Sequence, residues 1–314
     1  MSDPRRFIDL HMHSTASDGV HPPAELMRLA AARRLSAVAL TDHDTTTGLA
    51  EAARAAAEAG MEFVPGIELS ARFEPHTLHL LGYFIDPDCQ ELHQALDRII
   101  RWRRERNAAI LDRLAALGMD MRNDPELRDA IERDRGTAHV LGRPHIALAL
   151  VRAGYVPSFR AAFDRLLARG SAAYVARRTL SAREALALIH AAGGVASLAH
   201  PSHLHCGAQR ELETLLARLK DLGLDAVEAY HPDHQPRDTR WCVEAARRLD
   251  LALTGGSDYH GRPGVAPPRI AVGFSKAHIL YEHLEALRAR RNAEADRAPG
   301  VGSAMPISET PPTR

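Results

Sequence analysis

Two histidines separated by a single residue, in Asp9-Leu10-His11-Met12-His13-Ser14, constrain this chain more than any other feature. They follow the apolar pair Phe7-Ile8, so the segment reads as a buried strand that delivers polar groups at its end. On an extended chain residues i and i+2 face the same side, so His11 and His13 can grip one ion together. Strand ends carry polar residues for ordinary reasons as well, and the pair alone decides little. Repetition decides more, because the later polar clusters also fall where predicted strands end.

Taken in order, Pro22-Pro23-Ala24-Glu25-Leu26 opens a helix to about Leu35, its prolines where a first turn tolerates them. Ala37 to Leu40 is a short strand ending in Thr41-Asp42-His43-Asp44, and an alanine-rich helix from Leu49 stops at Gly60. Phe63-Val64-Pro65-Gly66-Ile67 delivers Glu68, and Thr77 to Ile85 is a strand carrying His79. This alternation predicts parallel β/α units. From about Asp88 to Gly170 the pattern becomes helical throughout: Glu91 to Leu117, Pro125 to Arg135, Pro144 to Ala153 and Ser158 to Ala168. The basic run Arg101 to Arg106 reads there as a solvated helix face. The β/α rhythm returns at Ser181-Ala182-Arg183-Glu184, a capping box. Strands at 195–199, 226–230 and 251–254 then lead to His200, His231 and Gly255-Gly256-Ser257-Asp258-Tyr259-His260. The expected division is a discontinuous barrel (1–88 and 171–292), a helical insertion or cap (89–170) and a disordered tail (293–314).

Composition narrows the setting. The chain has 314 residues, 45% hydrophobic, with a formal net charge of zero, so no global field recruits a DNA duplex. No apolar run approaches the ~20 residues a membrane span needs, and no signal-peptide core opens the chain. Cys89, Cys206 and Cys242 form no CxxC pair. They read as free thiols, and the expected location is cytoplasmic. Of 40 basic residues only Lys220 and Lys276 are lysines, which codon bias explains.

Collected, the predicted strand ends carry His11, His13, Asp18, His43, Glu68, His79, His200, Asp258 and His260. On one barrel rim such a group would be costly to desolvate unless it held cations. It exceeds the needs of one tetrahedral zinc and suits two or three ions, with Mn, Zn or Fe favoured over Mg and Ca and Mn first among them.

The motifs Asp-Leu-His-Met-His-Ser, Thr-Asp-His-Asp, Pro-Gly-Ile-Glu, Leu-Ala-His-Pro and Gly-Ser-Asp-Tyr-His resemble those of the PHP (polymerase and histidinol phosphatase) superfamily. The resemblance implies an α/β fold, a distorted (β/α)7 barrel, with a trinuclear metal centre. It implies one ion on His11, His13, Glu68 and Asp258, a second on Asp18, His43 and His260, and a third on Glu68, His79 and His200, with Glu68 bridging. Some relatives carry histidine where Asp18 stands. The long insertion and Gly142-Arg143-Pro144-His145-Ile146-Ala147 resemble the branch acting on nucleotides with 3'- and 5'-phosphates, some members of which trim RNA from its 5' end.

The expected function is therefore metal-dependent phosphomonoester hydrolysis, on the 3'-phosphate of nucleoside 3',5'-bisphosphates, with short RNA ends as a further substrate. His205 is the candidate acid or phosphate contact. Arg143, Arg135 and Arg177 are candidates for the non-reacting phosphate, since the guanidinium fork matches phosphate oxygens. Rival readings are a histidinol-phosphate phosphatase, an amidohydrolase and a non-catalytic metal-binding module. Amidohydrolase barrels often bridge their metals through a strand-end lysine, which neither Lys220 nor Lys276 supplies.

Overall fold

A computed structural model of the protein describes residues 6–136, 141–261 and 279–295. Its strands are β1 (Ile8–Asp9), β2 (Ala37–Leu40), β3 (Glu62–Phe73), β4 (His76–Tyr83), β5 (Leu180–Ser181), β6 (Val195–Leu198), β7 (Ala226–Tyr230) and β8 (Ala252–Gly255). They run side by side as β1-β2-β3-β4-β6-β7-β8, with the short β5 pairing β3 off that path. The ends meet where Leu10 N donates to Gly255 O and His13 N to Tyr259 O, which nearly closes a seven-stranded barrel. The closure needs Gly256, because a Cβ there would overlap the His11 backbone and Cβ.

One feature departs from parallel β/α units. β4 runs antiparallel to both β3 and β6. β3 is also long, so Glu68 and His79 lie inside strands instead of at their ends. They still share a face, because Ser70 pairs with His79 and residues 68 and 70 point the same way.

Alternation along the strands sorts the core. Ala37 and Ala39 join an apolar cluster closed by Leu284 and Leu287 of α10 (Glu282–Ala295). Val38 and Leu40 join a larger one beneath α1 (Pro23–Ala32) and α2 (Leu49–Glu58). Pro23 starts α1, and Gly60, at φ 68°, follows α2 in the left-handed conformation that ends a helix. α7 (Ala182–Ala191), α8 (Gln209–Lys220) and α9 (Pro236–Leu249) cover the returning strands.

Between β4 and β5 lie α3 (Gln90–Ala116), α4 (Pro125–Gly136), α5 (Arg143–Arg152) and α6 (Phe159–Ala162). The helix predicted for Ser158 to Ala168 is shorter, since Phe163–Leu167 widens into a π-helical turn. These helices have an apolar cluster of their own around Ile110, Leu114, Ile146 and Leu150. The first half of α3 does not share it: Leu92, Leu96 and Ile99 pack into the barrel's outer layer. α10 continues to Ala295, into the segment expected as tail, and residues 296–314 lie outside the described ones. Lys276 does too. No helix among the described residues is long and apolar enough to cross a membrane.

Candidate metal centre

Glu68 is fully buried, and histidines close on both of its oxygens. Oε2 lies 3.4 Å from His11 Nε2, 3.2 Å from His13 Nε2 and 3.0 Å from His43 Nδ1. Oε1 lies 2.9 Å from His79 Nδ1 and 3.1 Å from His200 Nε2. Asp258 Oδ1 stands 3.3 Å from His11 Nε2 and 3.1 Å from His13 Nε2. On the outer side Asp18 Oδ1 is 3.1 Å from His260 Nε2 and 3.9 Å from His13 Nδ1. The nine side chains thus converge in overlapping groups. These are His11-His13-Glu68-Asp258, His13-Asp18-His43-His260 and His43-Glu68-His79, with His200 joined through Glu68.

Such convergence demands positive charge. His11 Nε2, both ring nitrogens of His13, His43 Nδ1, Glu68 Oε2 and His79 Nδ1 are buried without hydrogen-bond partners. Burial by itself would lower His13, yet the Asp258 and Glu68 carboxylates beside its Nε2 lift it to about 10. Burial would raise Glu68, and the charges of His43, His79 and His11 hold it well below the usual carboxylate range. Lone pairs and carboxylates packed this closely need protons or cations between them, and an imidazole–carboxylate set fits divalent Mn, Zn or Fe.

The surrounding residues set this geometry. Asp42 accepts hydrogen bonds from Ser14 N (2.7 Å), Ser14 Oγ (2.6 Å) and Ser17 Oγ (2.5 Å), and so shapes the loop that presents Asp18. His200 (φ 28°) and Asp258 (φ 50°) both have left-handed backbones, a strain of the kind found at functional sites.

His205 falls elsewhere. It is exposed at the end of a 3-10 turn, Pro201–Leu204, outside the clustered groups. With three residues per turn, position 203 stacks beside 200 and position 205 turns away. His203 accordingly lies 4.4 Å from the His200 ring, centroid to centroid, and pairs with Asp233 at 2.9 Å.

The arginines sort themselves unexpectedly. Arg103 and Arg177 both reach Asp44 Oδ2, at 2.6 and 2.8 Å, tying α3 and the segment before β5 to the barrel beside His43. Arg106 donates to Val175 O, and burial together with the charges of Arg143, Arg177 and Arg103 lowers its pKa to about 10. Arg143 spends one N–H on Leu167 O and lies over Phe163. Among the described residues neither Arg106 nor Arg143 has a carboxylate partner. Because Asp44 directly follows His43, its contacts place Arg103 and Arg177 at the edge of the histidine cluster. The run 101–106 is therefore no uniformly solvated face. The Arg135 side chain lies outside the described residues.

Sequence reading missed Asp42, Asp44, Arg103, Arg106, Glu228 and His231. Glu228 left a usable signal, a carboxylate within the apolar strand Ala226-Val227-Glu228-Ala229.

Comparison with known proteins identifies the family. The PHP domain family profile matches residues 9–175. A 3',5'-nucleoside bisphosphate phosphatase from Chromobacterium violaceum is 36% identical over 257 residues, covering 82% of this chain and 88% of the relative. A phosphoribosyl 1,2-cyclic phosphate 1,2-diphosphodiesterase from Eggerthella lenta is 34% identical over 269 residues, covering 85% and 97%. The solved structure of a protein described as a metal-dependent phosphoesterase from Bifidobacterium adolescentis superposes with a TM-score of 0.73. It is 29% identical and covers 92% of this chain and 98% of its own. With its motifs converging on one buried cluster, the chain belongs to the PHP domain family of metal-dependent phosphoesterases.

Proposed function

We propose that this phosphoesterase is a phosphomonoesterase that removes the 3'-phosphate of nucleoside 3',5'-bisphosphates. The observation that carries the reading is the pair Arg106 and Arg143, half-buried and without a carboxylate partner among the described residues, beside Arg103 and Arg177, which Asp44 holds next to His43. A substrate with two phosphates matches two anion sites, one at the histidines and one at the arginines. The nine converging side chains would hold two or three ions, with Mn first among candidates, and Glu68 shared between them.

When bound, the ions acidify water and neutralise phosphoryl oxygens. The protein's own groups do the remaining work. Arg106 and Arg143 hold the non-reacting phosphate, so binding energy remote from the reaction orients the reacting one. Asp44 keeps Arg103 and Arg177 in place, and with them the helical insertion, which acts as a cap over the rim. His203, which pairs with Asp233 and lies beside the His200 ring, takes in this reading the leaving-group role considered for His205.

The test is a substrate panel with Mn²⁺. It compares a 3',5'-bisphosphate with 3'- and 5'-monophosphates, a 1,2-cyclic phosphate, histidinol phosphate and a short 5'-phosphorylated RNA. The bisphosphate should have the highest kcat/KM. A charged hydrogen bond contributes about 1.5–3 kcal/mol, so Arg106→Ala should reduce kcat/KM on the bisphosphate by about ten- to a hundredfold. Hydrolysis of an aryl phosphate should barely change. A bisphosphate processed no faster than the monophosphates would overturn the substrate assignment.

A further inference from the structure

Every strand of the closed path except β7 brings an expected ligand to the cluster, within the strand or just past its end. β7 brings two buried polar side chains that belong to none of the expected ion sites, Glu228 and, just past its end, His231. Glu228 is fully buried, and its two oxygens have different partners. Oε1 lies 2.9 Å from His11 Nδ1, and Oε2 accepts the backbone N–H of His200 at 2.6 Å. His231 Nδ1 accepts the backbone N–H of Asp233 at 3.1 Å.

We infer that Glu228 is a positioning residue that sets two ligands of the metal centre, orienting the His11 ring so that Nε2 faces the ion and holding the His200 backbone in its left-handed turn. The inference rests on the ligand assignment above. A neutral imidazole carries one proton, and a carboxylate only accepts hydrogen bonds. Facing Glu228, His11 Nδ1 must therefore bear the proton. Its Nε2 lone pair is then directed at Glu68 Oε2 and Asp258 Oδ1, where the first group of ligands converges. A histidine ligand fixed through its second nitrogen by a carboxylate is a recurrent device of metal sites.

The second oxygen matters equally. A backbone N–H is always a donor, so Glu228 answers two donors with two acceptors. Glutamine in its place has one oxygen and one NH2, and one of the two partners would face a donor. If that partner were His11, its Nδ1 would have to lose its proton and Nε2 would gain one, turning an N–H towards the ion. The same proton logic keeps His231 out of the ligand set. With Nδ1 already accepting from Asp233, a neutral His231 carries its proton on Nε2, which lies 3.6 Å from Asp258 Oδ2. His231 thus lies beside Asp258 without hydrogen-bonding it.

The test titrates metal-free protein with Mn²⁺, reading the affinity and number of ions for wild type, Glu228→Gln and His11→Ala, with circular dichroism as a check of the fold. Glu228→Gln should weaken the ion held by His11, the ion held by His200, or both by about ten- to a hundredfold, and leave the ion held by Asp18, His43 and His260 bound. His11→Ala should lose the ion that His11 holds. Wild-type affinity in His11→Ala would overturn the ligand assignment. Loss in His11→Ala with wild-type affinity in Glu228→Gln would overturn the positioning role alone. Should Glu228→Gln fail to fold, nitrogen-15 spectra of the zinc-loaded wild type still decide. His11 should show a protonated Nδ1 and a ligated Nε2, and the opposite arrangement would overturn the inference.

Discussion

At the scale of single residues, Glu68 shows why the cluster cannot be an ordinary polar core. Its two oxygens face two sets of histidines, and one oxygen cannot serve both. Glu68→Gln removes the charge and replaces one oxygen with an N–H donor aimed at ring nitrogens. Loss of a supporting group around a metal ligand typically costs about 10–100-fold, and a shared ligand should exceed that. Turnover of an aryl phosphate should therefore fall further in Glu68→Gln than in His79→Ala, with a matching loss in metal content by elemental analysis. Near-wild-type turnover with full metal content would show that Glu68 is not shared. Glu68 was legible in the sequence because Pro-Gly-Ile-Glu ends an apolar run with a carboxylate. Arg106 was not, because one arginine among many looks like a surface residue until its burial and neighbours are known.

At the scale of elements, local chemistry predicted some boundaries well and others poorly. The capping box opening α7 forms as its spacing requires: Ser181 Oγ accepts Glu184 N at 3.2 Å, and Glu184 Oε2 accepts Ser181 N at 2.8 Å. Ser181→Ala should lower stability by about 1 kcal/mol in urea denaturation, with kcat of the folded enzyme unchanged. A loss near zero would mean that packing of Ala182, Leu186 and Ile189 already determines where this helix starts. The direction of β4 was beyond such reasoning. Alternation reveals which side chains share a face, and it is the same whether a strand runs parallel or antiparallel to its neighbour. The π-helical turn at Phe163–Leu167 was equally hidden. Its five residues suit an α-helix as well, and the Arg143 contact with Leu167 O at its end comes from another helix.

At the scale of the molecule, the barrel gathers buried carboxylates and imidazoles from strands far apart in sequence. Cations bound there in the native state, and not in the unfolded chain, stabilise it by mass action, about 2.7 kcal/mol for each ion present at a hundred times its Kd. The purified protein should hold more than one transition-metal ion per chain. Stripping these with a chelator should lower the melting temperature in calorimetry, and restoring Mn²⁺ should recover it. A melting temperature indifferent to chelation, with one ion or none by elemental analysis, would exclude a multinuclear centre.

By itself the sequence determined which side chains gather at the site, because ligand types recur where apolar runs end and a barrel brings those runs to one rim. It also determined the β/α rhythm and the helical insertion, through hydrophobic periodicity and glycine stops. Only the tertiary structure decided what surrounds the ligands. Which arginines lose their solvent, which of them Asp44 holds, and that Glu228 stands behind both His11 and His200 all depend on contacts between distant segments. No local pattern encodes such contacts, since burial and charge neighbours belong to the folded chain and not to any stretch of it.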